Sequence, residues 1–132
     1  MNDPFIIESA PILFLNKRNS NNRVYTVDII KKALEEFKDK HILGMLGTSK
    51  SATFPLHEAA FVVKELKLDG DVLYAKNIQP LNTEKGQVLT YLLKGGVKFC
   101  FRPIGLGTVM NGVVTDYSFI GMSAIANPDD SF

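Results

Sequence analysis

Residues 60–76, AFVVKELKLDGDVLYAK, indicate the fold class of this chain. Two strand-like apolar runs stand on either side of Asp69-Gly70-Asp71, and the glycine can adopt the positive φ that a tight turn requires. The segment therefore predicts a β-hairpin.

Two helices are predicted, one before and one after this hairpin. Thr26 is an N-cap candidate for a helix that runs to about Lys40. Thr83 is an N-cap candidate for a second helix, from about Glu84 to Lys94, and Gly95-Gly96 predicts its C-terminal end. The apolar residues of the first helix recur at spacings of three and four, as in an amphipathic helix: Ile29, Ile30, Ala33, Leu34 and Phe37.

Strand patterns occupy both ends of the chain. Residues 5–15 read as one or two strands in which Pro11 marks an edge, a bulge or a break. Near the other end, Asn111-Gly112 is a second hairpin signal, and a last strand is predicted over about residues 117–125. The order strands, helix, hairpin, helix, hairpin and strand predicts one α+β domain over residues 1–132, with a mainly antiparallel, barrel-like sheet and two principal helices.

Composition excludes several classes of function. Lys plus Arg number 15 and Asp plus Glu number 14, so the net charge is +1, which argues against the strongly basic face of a protein that coats nucleic acid. The single cysteine, Cys100, excludes an internal disulfide and a cysteine-based metal cage. The two histidines, His41 and His57, stand outside any HExxH motif. We expect no metal and no cofactor.

No stretch reaches the roughly 18 apolar residues of a membrane-spanning helix. The segment Met1-Asn2-Asp3-Pro4 lacks the basic start and apolar core of a signal peptide. We therefore expect an intracellular protein that does not interact with a membrane.

Several fragments, in the same order along the chain, resemble a known family. They are N-x-N-x-R-x-Y at residues 19–25, Gly44-Met45-Leu46-Gly47, the hairpin at residues 62–71, L-x-T-x-x-G at residues 81–86 with residues 92–98, and Gly105-Leu106-Gly107 with residues 114–128. Together they resemble the prohead core protease family of tailed phages, whose fold is that of the herpesvirus assembly proteases. The resemblance covers about residues 16–128.

This resemblance implies serine proteolysis, in which a base within hydrogen-bond reach activates a serine hydroxyl. The family has a histidine just after its G-E-L-G motif and a serine just before its G-x-G motif. In this chain Thr48 and Ser49 stand where the family has its histidine, and residues 101–104, Phe-Arg-Pro-Ile, stand where it has its serine. Threonine is no base at neutral pH and arginine stays protonated, so we predict that the triad is lost and that the chain is not an enzyme.

His57 leaves an alternative open. It is either a histidine at a strand edge, as family members often carry there, or a displaced catalytic base of a serine endopeptidase with a rearranged triad. In the second case Ser49, Ser51 and Ser123 are nucleophile candidates by elimination. Cys100 lies between two phenylalanines in a strand pattern and is predicted to be a core residue, and His41 is interpreted as structural.

The segment Arg102-Pro103-Ile104-Gly105-Leu106-Gly107 is the candidate binding site. A guanidinium presents a planar fork of donors to phosphate or carboxylate, and glycines in a loop allow a ligand to approach. The alternative is that the glycines only form a bulge or bend and that Arg102 pairs with a neighbouring acidic residue. For Arg23 and Lys50 the alternative is that their charges are ordinary solvated surface. The complete predicted ligand-binding set is Arg23, Thr48, Ser49, Lys50, His57, Arg102, Pro103, Gly105 and Gly107.

Three functions therefore compete. The first is a non-catalytic phage protein that binds a viral protein partner or an anionic, nucleotide-like small molecule, either in the former active-site cleft or at an oligomer interface. Sequestration of a host immune signal is one such role. The second is a component of capsid assembly, and the third is an active prohead protease. Because the related proteases associate, we also expect a homo-oligomer. The expected location is the cytoplasm of the infected bacterial host or the virion interior.

Overall fold

The computed structural model describes residues 6–19, 22–37, 40–47 and 54–126. Two α-helices are present, α1 (Val27–Glu36) and α2 (Glu84–Lys94), and a 3₁₀ turn spans Leu56–Glu58. The strands are β1 (Ile7–Phe14), β2 (Ile42–Leu46), β3 (Ala59–Asp69), β4 (Val72–Pro80), β5 (Phe99–Met110) and β6 (Val113–Ala126). The predicted α+β class with two principal helices is confirmed.

One six-stranded sheet carries the fold, in the order β1-β4-β3-β2-β6-β5. Every neighbouring pair is antiparallel except β2 and β6, which are parallel. The edge strands β1 and β5 also contact each other, so the sheet curls toward a barrel. Pro11 and Pro103 lie in these two edge strands. Proline is tolerated in an edge strand because one side of that strand forms no ladder hydrogen bonds, so the missing N–H is not needed there.

Both predicted helix starts are confirmed by hydrogen bonds. The hydroxyl oxygen of Thr26 accepts from the backbone N–H of Ile29 at 3.3 Å, and that of Thr83 accepts from Gly86 at 3.0 Å. Thr83 also donates to the carbonyl of Ala59 at 2.7 Å, which fastens the start of α2 to β3. Helix α1 ends at Glu36, earlier than predicted, because Phe37 already takes the C-cap position.

The central hairpin is formed as predicted, with Gly70 in the turn at φ +64°. The second hairpin joins β5 to β6 through Asn111 and Gly112, both at positive φ. In β1 the register shifts between Pro11 and Leu13, so the proline marks a bulge in one edge strand rather than a break between two.

Two features differ from the prediction. Strand β2 was not expected, and it lies inside the sheet between β3 and β6. Residues 102–107 were predicted to be a loop, and this was wrong, because they belong to β5. Their extended course follows from pairing with β6, with a register shift between Ile104 and Gly105 that absorbs the irregularity.

The core lies inside the curled sheet and under the two helices. Edge-to-face aromatic pairs connect its parts, with ring centroids 5.4 Å apart for Phe61 and Phe101 and 5.9 Å apart for Phe37 and Phe119. Cys100 is 4% exposed, which confirms its predicted place in the core. Within the described ranges, neither helix is long and apolar enough to cross a membrane.

Candidate functional site

A cavity of about 390 Å³ lies between the β5–β6 hairpin and the loop that leads into α1. Its size falls in the range of about 300–1,000 Å³ typical of small-molecule sites. Its principal lining residues are Arg23, Tyr25, Arg102, Gly105, Tyr117 and Ser123.

The loop before α1 is held against the hairpin through Val24. The backbone N–H of Val24 donates to the carbonyl of Gly112 at 2.8 Å, and the N–H of Val114 donates to the carbonyl of Val24 at 2.9 Å. The Arg18 guanidinium lies beside Gly112, in the space that a Cβ atom there would need, and also donates to Asn22 at 3.1 Å. These contacts fix the backbone on both sides of Arg23 and thereby set it at the rim of the cavity.

Strands β5 and β6 form the floor of the cavity. Arg102 stands opposite Ser123 in the antiparallel register, and Ser123 is 2% exposed. The ring of Tyr117 fills the space that a side chain at Gly105 would occupy, and the carbonyl of Asp116 does the same at Gly107. The two glycines therefore permit close packing of β6 rather than forming a loop, and the register shifts at Gly105, as a bulge or a similar irregularity does.

The described lining of the cavity carries positive charge. Among its described lining residues, Arg23 and Arg102 are charged, and no carboxylate or imidazole is found. A guanidinium is always protonated and forms charge-assisted, often bidentate hydrogen bonds to phosphate or carboxylate. The arrangement is therefore suited to an anion.

Two tyrosines provide the neutral part of the wall. Their rings meet edge to face with centroids 5.4 Å apart. Burial raises the pKa of Tyr117 far above the ordinary value, and burial also raises the pKa of Tyr25, against the opposing effect of Arg23. Both phenols therefore stay protonated near neutral pH and add no negative charge to the cavity.

The structure brings together five of the nine predicted site residues: Arg23, Arg102, Pro103, Gly105 and Gly107. It places His57 in the exposed 3₁₀ turn, outside the cavity lining. Thr48, Ser49 and Lys50 lie outside the described residues, as does Ser51. His41 lies at a second groove, of about 470 Å³, with Phe37 and Lys64.

Sequence reasoning missed Tyr25 and Tyr117 as wall residues and named Ser123 only as a possible nucleophile. Arg23 and Tyr25 flank Val24, which forms isolated β-bridges, and both line the cavity. Nothing local to Tyr117 or Ser123 marks them. Among the described residues, no group of three or more His, Cys, Asp or Glu side chains is arranged to hold a metal ion.

Comparison with known proteins supports the fold. The sequence matches no known family profile and no curated protein. Among solved structures, the bacteriophage T4 capsid assembly protease gp21 matches with a TM-score of 0.73 and 20% sequence identity, over 94% of this chain and 92% of that chain. The predicted resemblance is thereby confirmed at the level of the fold: the chain has the fold of the phage prohead proteases.

Proposed function

We propose that this chain is a non-catalytic phage protein that binds an anionic, nucleotide-like small molecule in the cavity between the β5–β6 hairpin and the loop before α1. The observation that carries the proposal is that two arginines, Arg23 and Arg102, line the same cavity as Tyr25. The likeness to a phage capsid assembly protease supports the phage origin.

The described groups support binding rather than hydrolysis. A serine hydroxyl becomes a nucleophile when a base lies within hydrogen-bond reach. Ser123 lines the cavity, but neither His41 nor His57 does. Opposite Ser123 stands Arg102, whose guanidinium cannot accept a proton.

A nucleotide combines the two kinds of group that this wall recognises. Phosphate oxygens accept hydrogen bonds from the guanidinium groups of Arg23 and Arg102. A base or sugar contacts the apolar and aromatic part of the wall, formed by Tyr25, Leu106 and Ile125. Sequestering such a molecule, for example a nucleotide signal of host immunity, is the role we propose in the cytoplasm of the infected bacterium, and a homo-oligomer is the form we propose for the protein.

Isothermal titration calorimetry with defined probes tests the proposal: pyrophosphate, ribonucleoside monophosphates and cyclic dinucleotides. We expect at least one nucleotide to bind, and Arg102→Gln to weaken it about tenfold or more, since a hydrogen bond to a charged group contributes about 1.5–3 kcal/mol. Lys98→Gln is the matched control, because it removes one exposed positive charge outside the cavity lining. No binding of any probe, or equal loss in both variants, would contradict the proposal.

A second candidate is favoured by the likeness to a capsid assembly protease. In this view the chain is a capsid-assembly component or a prohead serine endopeptidase that uses His57 as its base. A fluorophosphonate probe tests for activity: labelling or self-cleavage that His57→Gln abolishes supports the endopeptidase. Co-purification with capsid or scaffold proteins from infected cells, without labelling, supports the assembly component.

A further inference from the structure

The second groove, of about 470 Å³, lies between the end of α1, the residues that lead into β2, and strand β3. We call it the α1–β3 groove. It shares no described lining residue with the arginine-containing cavity, and the proposed ligand-binding function makes no use of it. Its lining combines an apolar floor with a charged rim, and these two parts indicate what it binds.

The floor of the α1–β3 groove is apolar and fixed from beneath. Leu34 belongs to α1, Phe37 is the C-cap of that helix, and Leu66 belongs to β3. All three side chains are half-buried and pack against the hydrophobic core. On its core side the Phe37 ring meets Phe119 edge to face, with centroids 5.9 Å apart. The floor therefore keeps its shape without a ligand and leaves apolar surface in contact with solvent.

The rim carries basic groups directly beside this floor. The Nζ of Lys40 lies over the phenylalanine ring of the floor, 5.8 Å from its centroid. The β2–β3 ladder begins at the pair of Ile42 and Val63. One position further out, His41 and Lys64 therefore stand opposite each other. The positive charge of the rim thus adjoins the apolar surface and does not lie apart from it.

Glu65 is the one carboxylate in the described lining of the groove. Two lysines against one glutamate leave the rim positive even with His41 neutral. An ionised carboxylate only accepts hydrogen bonds, so Glu65 suits a donor on the ligand, such as a backbone N–H group. The rim as a whole is complementary to an acidic ligand that also carries N–H donors.

The open rim favours a peptide over a free small molecule. Small-molecule sites bury about 70–90% of the ligand surface, whereas every charged residue of this rim is exposed. A side chain that enters from a longer peptide needs no such enclosure, because the residues on either side of it contact the rim. An apolar centre with a polar, solvent-accessible rim is the usual arrangement of a protein–protein interface.

We propose that the α1–β3 groove binds a partner protein through a short acidic segment in which one large apolar side chain is flanked by carboxylates. The apolar side chain packs on the floor, the carboxylates meet Lys40 and Lys64, and Glu65 accepts from a backbone N–H of the segment. This proposal goes beyond the proposed ligand-binding function and does not depend on it, since the two sites have separate linings.

Nuclear magnetic resonance titration of the ¹⁵N-labelled full chain tests the proposal, with the synthetic peptide acetyl-Asp-Glu-Phe-Asp-Asp-amide as the probe. We expect saturable shifts of the backbone amide signals of His41 and of residues 64–66. Lys64→Gln should raise the dissociation constant about two- to fivefold, the range of one exposed ion pair. Lys67→Gln is the matched control and should leave it unchanged, because Lys67 is an exposed lysine of the same strand outside the groove lining. Arg102→Gln should also leave it unchanged, because Arg102 lines the other cavity.

Two altered peptides separate the contributions of the floor and the rim. Replacing phenylalanine by serine removes the apolar anchor, and replacing the acidic residues by asparagine and glutamine removes the charge, so both peptides should bind several-fold more weakly. The proposal is overturned if the groove signals do not shift at millimolar probe, if either altered peptide binds as the probe does, or if Lys67→Gln weakens binding as much as Lys64→Gln. It is also overturned if N-acetylphenylalanine binds as tightly as the probe, which would make this a small-molecule site. Movement of the same signals on dilution of the protein alone overturns it as well, since a second copy would then occupy the groove.

Discussion

Gly105→Ala tests the close packing of Tyr117 and strand β6 on strand β5 at Gly105, which lines the arginine-containing cavity. A Cβ atom at residue 105 would overlap the phenol ring of Tyr117 and would lie 2.6 Å from the backbone carbonyl of Ser118. The φ angle of Gly105 is not positive, so the cost of the substitution comes from steric overlap and not from backbone conformation.

The cost of Gly105→Ala depends on which atoms must move to make room for the new Cβ atom. The Ser118 carbonyl belongs to strand β6 and cannot rotate away independently, and the Tyr117 ring is packed edge to face against Tyr25 and Phe119, with centroids 5.4 and 5.2 Å apart. Overpacking a well-packed site costs about 1–3 kcal/mol. We therefore expect Gly105→Ala to lower the free energy of unfolding by that amount.

Urea denaturation followed by circular dichroism measures this loss. Gly95→Ala is the matched control, because a Cβ atom there meets its nearest neighbour, the carbonyl of Tyr91, at 3.4 Å and the backbone φ is −79°. Its free energy of unfolding should change by less than about 0.5 kcal/mol. If Gly105→Ala unfolds at the same urea concentration as the natural chain, the packing argument is refuted.

Two further predictions concern the N-cap of α2 and the buried tyrosines. Thr83→Ala removes the acceptor for Gly86 and the donor to Ala59, so the free energy of unfolding should fall by about 1–2 kcal/mol in urea denaturation. Thr83→Ser should recover most of the loss, and failure to do so contradicts the capping role. Because the pKa values of Tyr25 and Tyr117 are raised on folding, their contribution to stability is complete below the unfolded tyrosine pKa of about 10 and is lost as pH rises above it. Absorbance titration at alkaline pH should show, in the folded protein, two phenols that ionise only above the unfolded tyrosine pKa, and loss of this late phase in Tyr117→Phe assigns it. Absence of any late phase contradicts the burial of Tyr25 and Tyr117.

Local chemistry made the helices and hairpins predictable. A hydroxyl at Thr26 or Thr83 satisfies backbone N–H groups within three residues, and Gly70 or Gly112 supplies a positive φ where the chain reverses. Each of these signals acts between residues that are close in the sequence. These helix and hairpin signals can therefore be recognised in the sequence without knowledge of the rest of the fold.

Strand pairing between distant segments was not predictable in the same way. Strand β2 is only five residues long and includes Gly44, over which the ring of Phe61 packs. Its place between β3 and β6 depends on hydrogen bonds to partners far away in the sequence. Residues 102–107 read as a loop because of Pro103 and two glycines, and it is their long pairing with β6 that makes them extended.

For the candidate site, the sequence alone determined the residue chemistry, which is that of the guanidinium groups of Arg23 and Arg102. Only the tertiary structure decided that these two arginines share one cavity, with Tyr117 and Ser123 in its wall and His57 outside it. The physical reason is that the cavity exists only where the loop before α1 docks on the β5–β6 hairpin through Val24, a contact between segments about 90 residues apart that no local propensity encodes.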